Sequence, residues 1–176
     1  MSALSVLYIV LPILAVSFCH ALEVVFTARR WASHHSASSD EAHQSLVNIL
    51  FRLSGMNMSA LVIAAVVGFL AVLLSTAALF AGGLWAELVW TTVFMAYSVC
   101  ALINLVRAVT LKGYVPGLVT SIISVPLIAY AAYSLSLVWP WWGMLLFAIL
   151  GLVLAVAGHF IAQRIGRYST TISASL

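Results

Sequence analysis

The sequence predicts an all-α integral membrane bundle of five transmembrane helices, and two observations carry that prediction. Of 176 residues, 65% are apolar and only 6% are charged, where a soluble domain carries roughly 25% charged residues. Apolar runs also tile almost the whole length at about 3–27, 57–81, 84–108, 117–138 and 141–163, each near the ~20 residues that a helix needs to cross a bilayer. Residues 1–176 therefore read as one transmembrane domain with a single long loop, 28–56. The first run has no basic residue before it and exceeds the ~7–15 residues of a cleavable signal core, so it is expected as a mature helix.

Charge orients the bundle. Arg29, Arg30 and Arg52 lie between the first two runs, Arg107 and Lys112 at the turn between the third and fourth, and Arg164 and Arg167 after the fifth. The intervening Gly82-Gly83 and Trp139–Trp142 turns hold no Lys or Arg. With five spans all seven basic side chains fall on one side, which the positive-inside rule makes cytoplasmic. The N-terminus is then outside, the C-terminus cytoplasmic, and the expected location the cell membrane. Trp85, Trp90, Trp139, Trp141 and Trp142 are expected near the opposite interface, with Trp31 at the inner one. The basic residues are scattered at helix ends, so the net charge of +3 argues for membrane orientation and not for nucleic acid.

Within the loop, Ser38 and Glu41 have the spacing of a capping box. Ala42, Leu46, Ile49, Leu50 and Leu53 then recur on one helical face, which predicts an amphipathic helix on the inner leaflet. His34, His35 and His43 in this stretch fit a solvated loop better than a metal site, because no carboxylate or cysteine pattern accompanies them. Cys19 and Cys100 fall inside apolar runs, where thiols behave as small hydrophobes. In the turn before the fourth span, Gly113 suits a positive φ and Pro116 the first helical turn. Pro126 should interrupt the hydrogen bonding of that span, and Gly151, Ala155 and Gly158 give the fifth a small face for close packing.

Ionisable side chains inside a bilayer cost about 2.5–3.5 kcal/mol on insertion scales and usually mark function. His20 and Glu23 lie three apart on the first helix and so share a face. His20 is nine residues back from Arg29, or ~13 Å along a helix axis. Asn104 and Arg107 repeat the three-residue spacing near the inner end of the third helix, and His159 and Gln163 lie four apart at the inner end of the fifth. These three helices run in the same direction, so the pairs fall at similar depth in the cytoplasmic half of the membrane. Tyr114, in the short turn 112–117, can bring its hydroxyl to the same layer.

His20-Ala21-Leu22-Glu23, followed by basic residues and Trp31, resembles the signature of the HXXEE-domain membrane proteins. Asn104, Arg107, Tyr114-Val115-Pro116-Gly117-Leu118-Val119-Thr120 and Pro126 are similar to that family's second block. Val24 stands at the second glutamate position, and Asn104 where a histidine is common. The resemblance implies a small multi-helix membrane protein and brings no activity with it.

Three functions compete on these residues. In an intramembrane enzyme or binder for a lipid-like small molecule, His20 and Glu23 are the catalytic candidates, with Asn104, Arg107 and Tyr114 as substrate-binding candidates. Metal ligation by His20, Glu23 and His159 is a variant of that reading. The alternatives are a structural or partner-binding membrane protein, and a small transporter in which the His/Glu pair couples protons and a homodimer supplies the pathway. No nucleotide loop, haem-attachment sequence or nucleophile motif is present, so no motif specifies a cofactor.

Overall fold

The computed structural model describes residues 6–36 and 58–173, and all of the regular structure among them is helical. A π-helical turn at Val6–Val10 leads into α1, Leu11–Ser36. The remaining helices are α2 (Met58–Ala81), α3 (Leu84–Thr110), α4 (Leu118–Ser136) and α5 (Trp141–Ser173). Each contains a stretch long and apolar enough to cross a membrane: Tyr8–Ala28, Ala60–Ala81, Leu84–Thr110, Leu118–Ser136 and Trp141–Ile165. Helices follow because hydrocarbon offers no partner to a backbone N–H or C=O, and a helix satisfies both within the segment. The expected amphipathic helix after Ser38, with His43 and Arg52, lies outside the described residues.

The helix ends differ from expectation in four places. α1 continues nine residues past 27, to Ser36, and α5 runs on to Ser173. Their polar ends stay helical because no Pro interrupts 28–36 or 164–173, and a single glycine, Gly166, is tolerated within α5. At the end of α3 the left-handed residue is Lys112 (φ 49°), not Gly113. Gly113 N–H bonds Ala108 O at 3.1 Å and Lys112 N–H bonds Val109 O at 3.2 Å, the paired bonds of a Schellman ending that needs its turn residue at position 112. Pro116 precedes the helix, and Gly117 with φ 88° is the N-cap of α4.

α1 packs between α2 and α4, while α3 packs between α4 on one side and α2 with α5 on the other. α5 lies chiefly against α2 and α3. Along the axis the bundle is layered. At one end Val10, Ile13, Val72, Leu79, Trp90, Phe94, Ala131 and Leu135 form an apolar core. At the other, where Arg30, Lys112 and Arg164 are exposed, Trp31, Leu111 and Val115 form a smaller one. Polar side chains of α1, α3 and α4 fill the level between them.

Trp85, Trp141 and Trp142 are exposed at the end away from the basic residues, where interfacial tryptophans were expected. Trp90 is not among them. It is buried, stacked on Phe94 at 5.5 Å, with Nε1 donating to Thr76 Oγ1 at 3.3 Å. The second turn of α3 faces inward, and Thr76 supplies the acceptor that a buried indole requires.

Of the small face expected on α5, Gly151 makes the close contact. A Cβ there would lie 2.7 Å from Ala96 N and 2.8 Å from the Met95 carbonyl carbon, whereas one at Gly158 would meet nothing within 4 Å. Gly151→Ala is therefore expected to lower stability by about 1–3 kcal/mol, the range for an overpacked site, and Gly158→Ala to be neutral or slightly stabilising. Thermal unfolding of both variants in detergent checks this; equal behaviour would remove the close α3–α5 approach as a constraint.

Candidate functional site

The polar level is organised by one carboxylate. Glu23 on α1 reaches the first turn of α4, where Oε1 accepts from Val119 N–H at 3.1 Å and Oε2 from Thr120 N–H at 2.9 Å. Two hydroxyls complete the set: Tyr114 donates to Oε1 at 2.7 Å and Thr120 to Oε2 at 2.6 Å. A carboxylate has about four lone-pair directions, and all four are used. Val119 and Thr120 are the second and third helical residues of α4, the positions whose N–H groups a capping side chain satisfies. Gly117, the residue at the cap position, has no side chain to offer. Glu23 thus caps α4 from a different helix and places its negative charge at the positive end of that helix dipole.

Glycine is required at 117 for two independent reasons. Its φ of 88° is left-handed, and a Cβ there would lie 2.4 Å from His20 Cε1 and 3.2 Å from Asn104 Nδ2. The imidazole and the amide therefore flank the bare backbone of Gly117 from α1 and α3. His20 Nδ1 lies 2.9 Å from Thr120 Oγ1, and the ring meets Tyr97 edge-on at 6.2 Å. Asn104 Nδ2 donates to Ser121 Oγ at 3.4 Å, and Ser121 Oγ donates to Gly117 O at 2.6 Å. Further in, Tyr97 and Ser124 share a hydrogen bond at 2.7 Å, and Ser124 Oγ donates to Thr120 O at 2.7 Å.

The turn carrying Tyr114 is held from α1 as well. Trp31 Nε1 donates to Tyr114 O at 2.5 Å, and Thr27 Oγ1 lies 3.2 Å from the Tyr114 hydroxyl while donating to Glu23 O at 2.6 Å. Partial burial raises the Tyr114 pKa above its ordinary 10.0, and the neighbouring Glu23 carboxylate adds to the shift. The phenol consequently stays a neutral donor through the physiological range. Glu23 and His20 are half-buried, and Val119 and Tyr114 are exposed, so the cluster reaches the flank of the bundle between α1 and α4.

Of the residues singled out from sequence, His20, Glu23, Asn104 and Tyr114 come together. Arg107 sits one turn beyond Asn104, and none of the four bonds to Glu23 comes from it. His159 is on α5, 2.8 Å from Gln163 and on a helix that packs chiefly against α2 and α3. Among the described residues no three His, Cys, Asp or Glu side chains converge as metal ligands. Sequence reading gave no role to Thr120, Ser121, Ser124, Tyr97 or Thr27. One signal was available: Thr120, Ser121 and Ser124 make a polar strip on an otherwise apolar helix, with the spacing of a single face.

Fold and site together define a small multi-pass helical membrane protein whose first, third and fourth helices meet in one polar cluster that reaches the bundle flank. A family model described as a protein of unknown function with HXXEE motif matches residues 11–132, and the chain belongs to that family. The match covers α1 through most of α4 and leaves α5 outside. The motif falls on His20 and Glu23, with Val24 where its second glutamate would be; Val24 is 2% exposed, so a carboxylate there would be buried in the helix contacts of α1. No curated protein and no solved structure matches the chain.

Glu23→Ala is expected to lower stability by about 1–3 kcal/mol, since it leaves two helix-end N–H groups and two hydroxyls without their acceptor. Glu23→Gln should cost less, because one amide oxygen remains. Gly117→Ala should be more damaging than Gly113→Ala, whose Cβ meets only an ordinary contact at 3.6 Å. Circular-dichroism melts of the four variants test the order; a Glu23→Ala protein as stable as wild type would remove the capping role.

Proposed function

We propose that the cluster is an intramembrane acid–base site that binds, and acts on, a lipid-like small molecule entering sideways from the bilayer between α1 and α4. The observation that carries this reading is the convergence of His20 and Glu23 on a single α4 hydroxyl, Thr120 Oγ1, at 2.9 and 2.6 Å, in a cluster that reaches the bundle flank. Glu23, with every lone-pair direction occupied, serves as the fixed anion. His20 is the group that exchanges a proton, being half-buried beside that anion. Asn104 is suited to hold a substrate oxygen, and Tyr114 and Arg107 to meet the polar end of the molecule at the basic end of the bundle. Proton-transfer chemistry such as isomerisation or cyclisation fits these groups. By the positive-inside rule the site lies in the cytoplasmic half of the bilayer.

The four bonds to Glu23 favour a second reading, in which the cluster only locks α1, α3 and α4 together, as buried polar groups do in membrane bundles. Native mass spectrometry of protein purified in mild detergent separates the two. Under the first reading wild type retains a lipid-like ligand that is lost in His20→Ala and weakened in Glu23→Gln. An empty wild-type protein, with both variants equally folded, would leave the structural lock. Orientation is tested by Lys112→Cys in a Cys19→Ser, Cys100→Ser background: an impermeant thiol reagent should label it from the cytoplasmic side only, and labelling from outside would invert the topology.

A further inference from the structure

Thr120 is not part of the HXXEE motif, yet its hydroxyl bonds both His20 and Glu23. Its hydroxyl has one hydrogen and two lone pairs, and three groups surround it: Glu23 Oε2 at 2.6 Å, Gly117 O at 3.2 Å and His20 Nδ1 at 2.9 Å. A carbonyl oxygen and an ionised carboxylate can only accept. The single hydrogen goes to the nearer, charged acceptor, since charge-assisted O–H···O⁻ bonds are both shorter and stronger. Thr120 therefore turns a lone pair toward His20, and a bare nitrogen at 2.9 Å would set lone pair against lone pair.

We infer that Thr120 is a positioning residue that holds neutral His20 in the Nδ1–H tautomer and leaves Nε2 as its unprotonated, basic nitrogen. The chain Nδ1–H···Oγ1–H···Oε2 transmits the direction of the Glu23 charge through a hydroxyl without moving either hydrogen. The inference deepens the acid–base reading and rests on it for its chemical use. A ligand that presents an acidic O–H, or a C–H beside a carbonyl, gives its proton to Nε2 and is left as its conjugate base. His20 becomes the imidazolium, Nδ1–H stays in place, and the Thr120–Glu23 pair faces the new positive charge. The site accordingly selects, among apolar molecules, those with a transferable proton at the polar end. The same oxygen explains why position 120 needs a hydroxyl: a methyl in its place breaks the relay and removes one of the four donors to Glu23.

The test is a nitrogen-15 NMR spectrum of the ligand-free, full-length protein, labelled at histidine in detergent micelles, with the His20 signal assigned by its loss in His20→Gln. The expected wild-type spectrum shows Nδ1 protonated and Nε2 bare at neutral pH, with a through-space contact from the Nδ1 proton to the Thr120 side chain. Thr120→Val should lose the Nδ1–H signature and Thr120→Ser should retain it. An Nε2–H wild type, a missing contact to Thr120, or an Nδ1–H tautomer unchanged in Thr120→Val would each overturn the inference, and the first two do not depend on a variant that folds. No ligand takes part, so an Nε2–H result defeats this assignment alone, while an empty mass spectrum beside an Nδ1–H tautomer defeats the acid–base reading and leaves Thr120 as a structural relay.

Discussion

The carboxylate of Glu23 rests on the open N-terminus of α4, and most of the geometry at the basic end of the bundle depends on that contact. A helix N-terminus leaves its first N–H groups without partners inside the helix, and each is costly to leave unpaired away from water. The usual remedy is a Ser, Thr, Asp or Asn at the cap position. Here that position must be Gly117, because the backbone is left-handed and His20 and Asn104 occupy the space a side chain would need. The acceptor is consequently supplied from across the α1–α4 interface, and a local requirement of one helix becomes an interhelical bond.

The consequences spread from there. Anchoring α4 on Glu23 sets the height at which Thr120, Ser121 and Ser124 meet α1 and α3, and so places the polar level between two apolar cores. It also brings the Tyr114 hydroxyl onto the carboxylate, where Trp31 holds the turn by its carbonyl. α5 takes no part in this arrangement. It packs through Gly151 against the backbone of Met95 and Ala96, and the family match stops before it. The polar cluster and the close packing at Gly151 thus involve different sets of helices, and the family match covers the cluster.

Capping and acid–base chemistry are compatible uses of one glutamate. A carboxylate fully engaged by donors is a poor proton acceptor and a good fixed charge, so in the proposed acid–base site proton exchange is assigned to its partner. His20 is the partner the geometry provides, and Thr120 stands between them. The missing second glutamate of the motif is consistent with a one-carboxylate site: Val24 is buried among helix contacts, where a charge would be desolvated.

The number of apolar spans was legible in the sequence, since it depends on a quantity that acts residue by residue: the transfer of apolar side chains into hydrocarbon. So was the membership of His20, Glu23, Asn104 and Tyr114 in one layer. Which pairs share a site was decided only by tertiary structure, because depth says nothing about which helices are neighbours; His159 lies on a helix set against α2 and α3. Tertiary structure also decided that Trp90 is a core residue with Thr76 as its acceptor, and that Lys112 and not Gly113 takes the left-handed turn. Above all it decided what Glu23 does. A carboxylate on α1 is read from sequence as a free acid or base, and only the approach of an uncapped helix, 96 residues away in the chain at Val119, makes it the anion that closes α4.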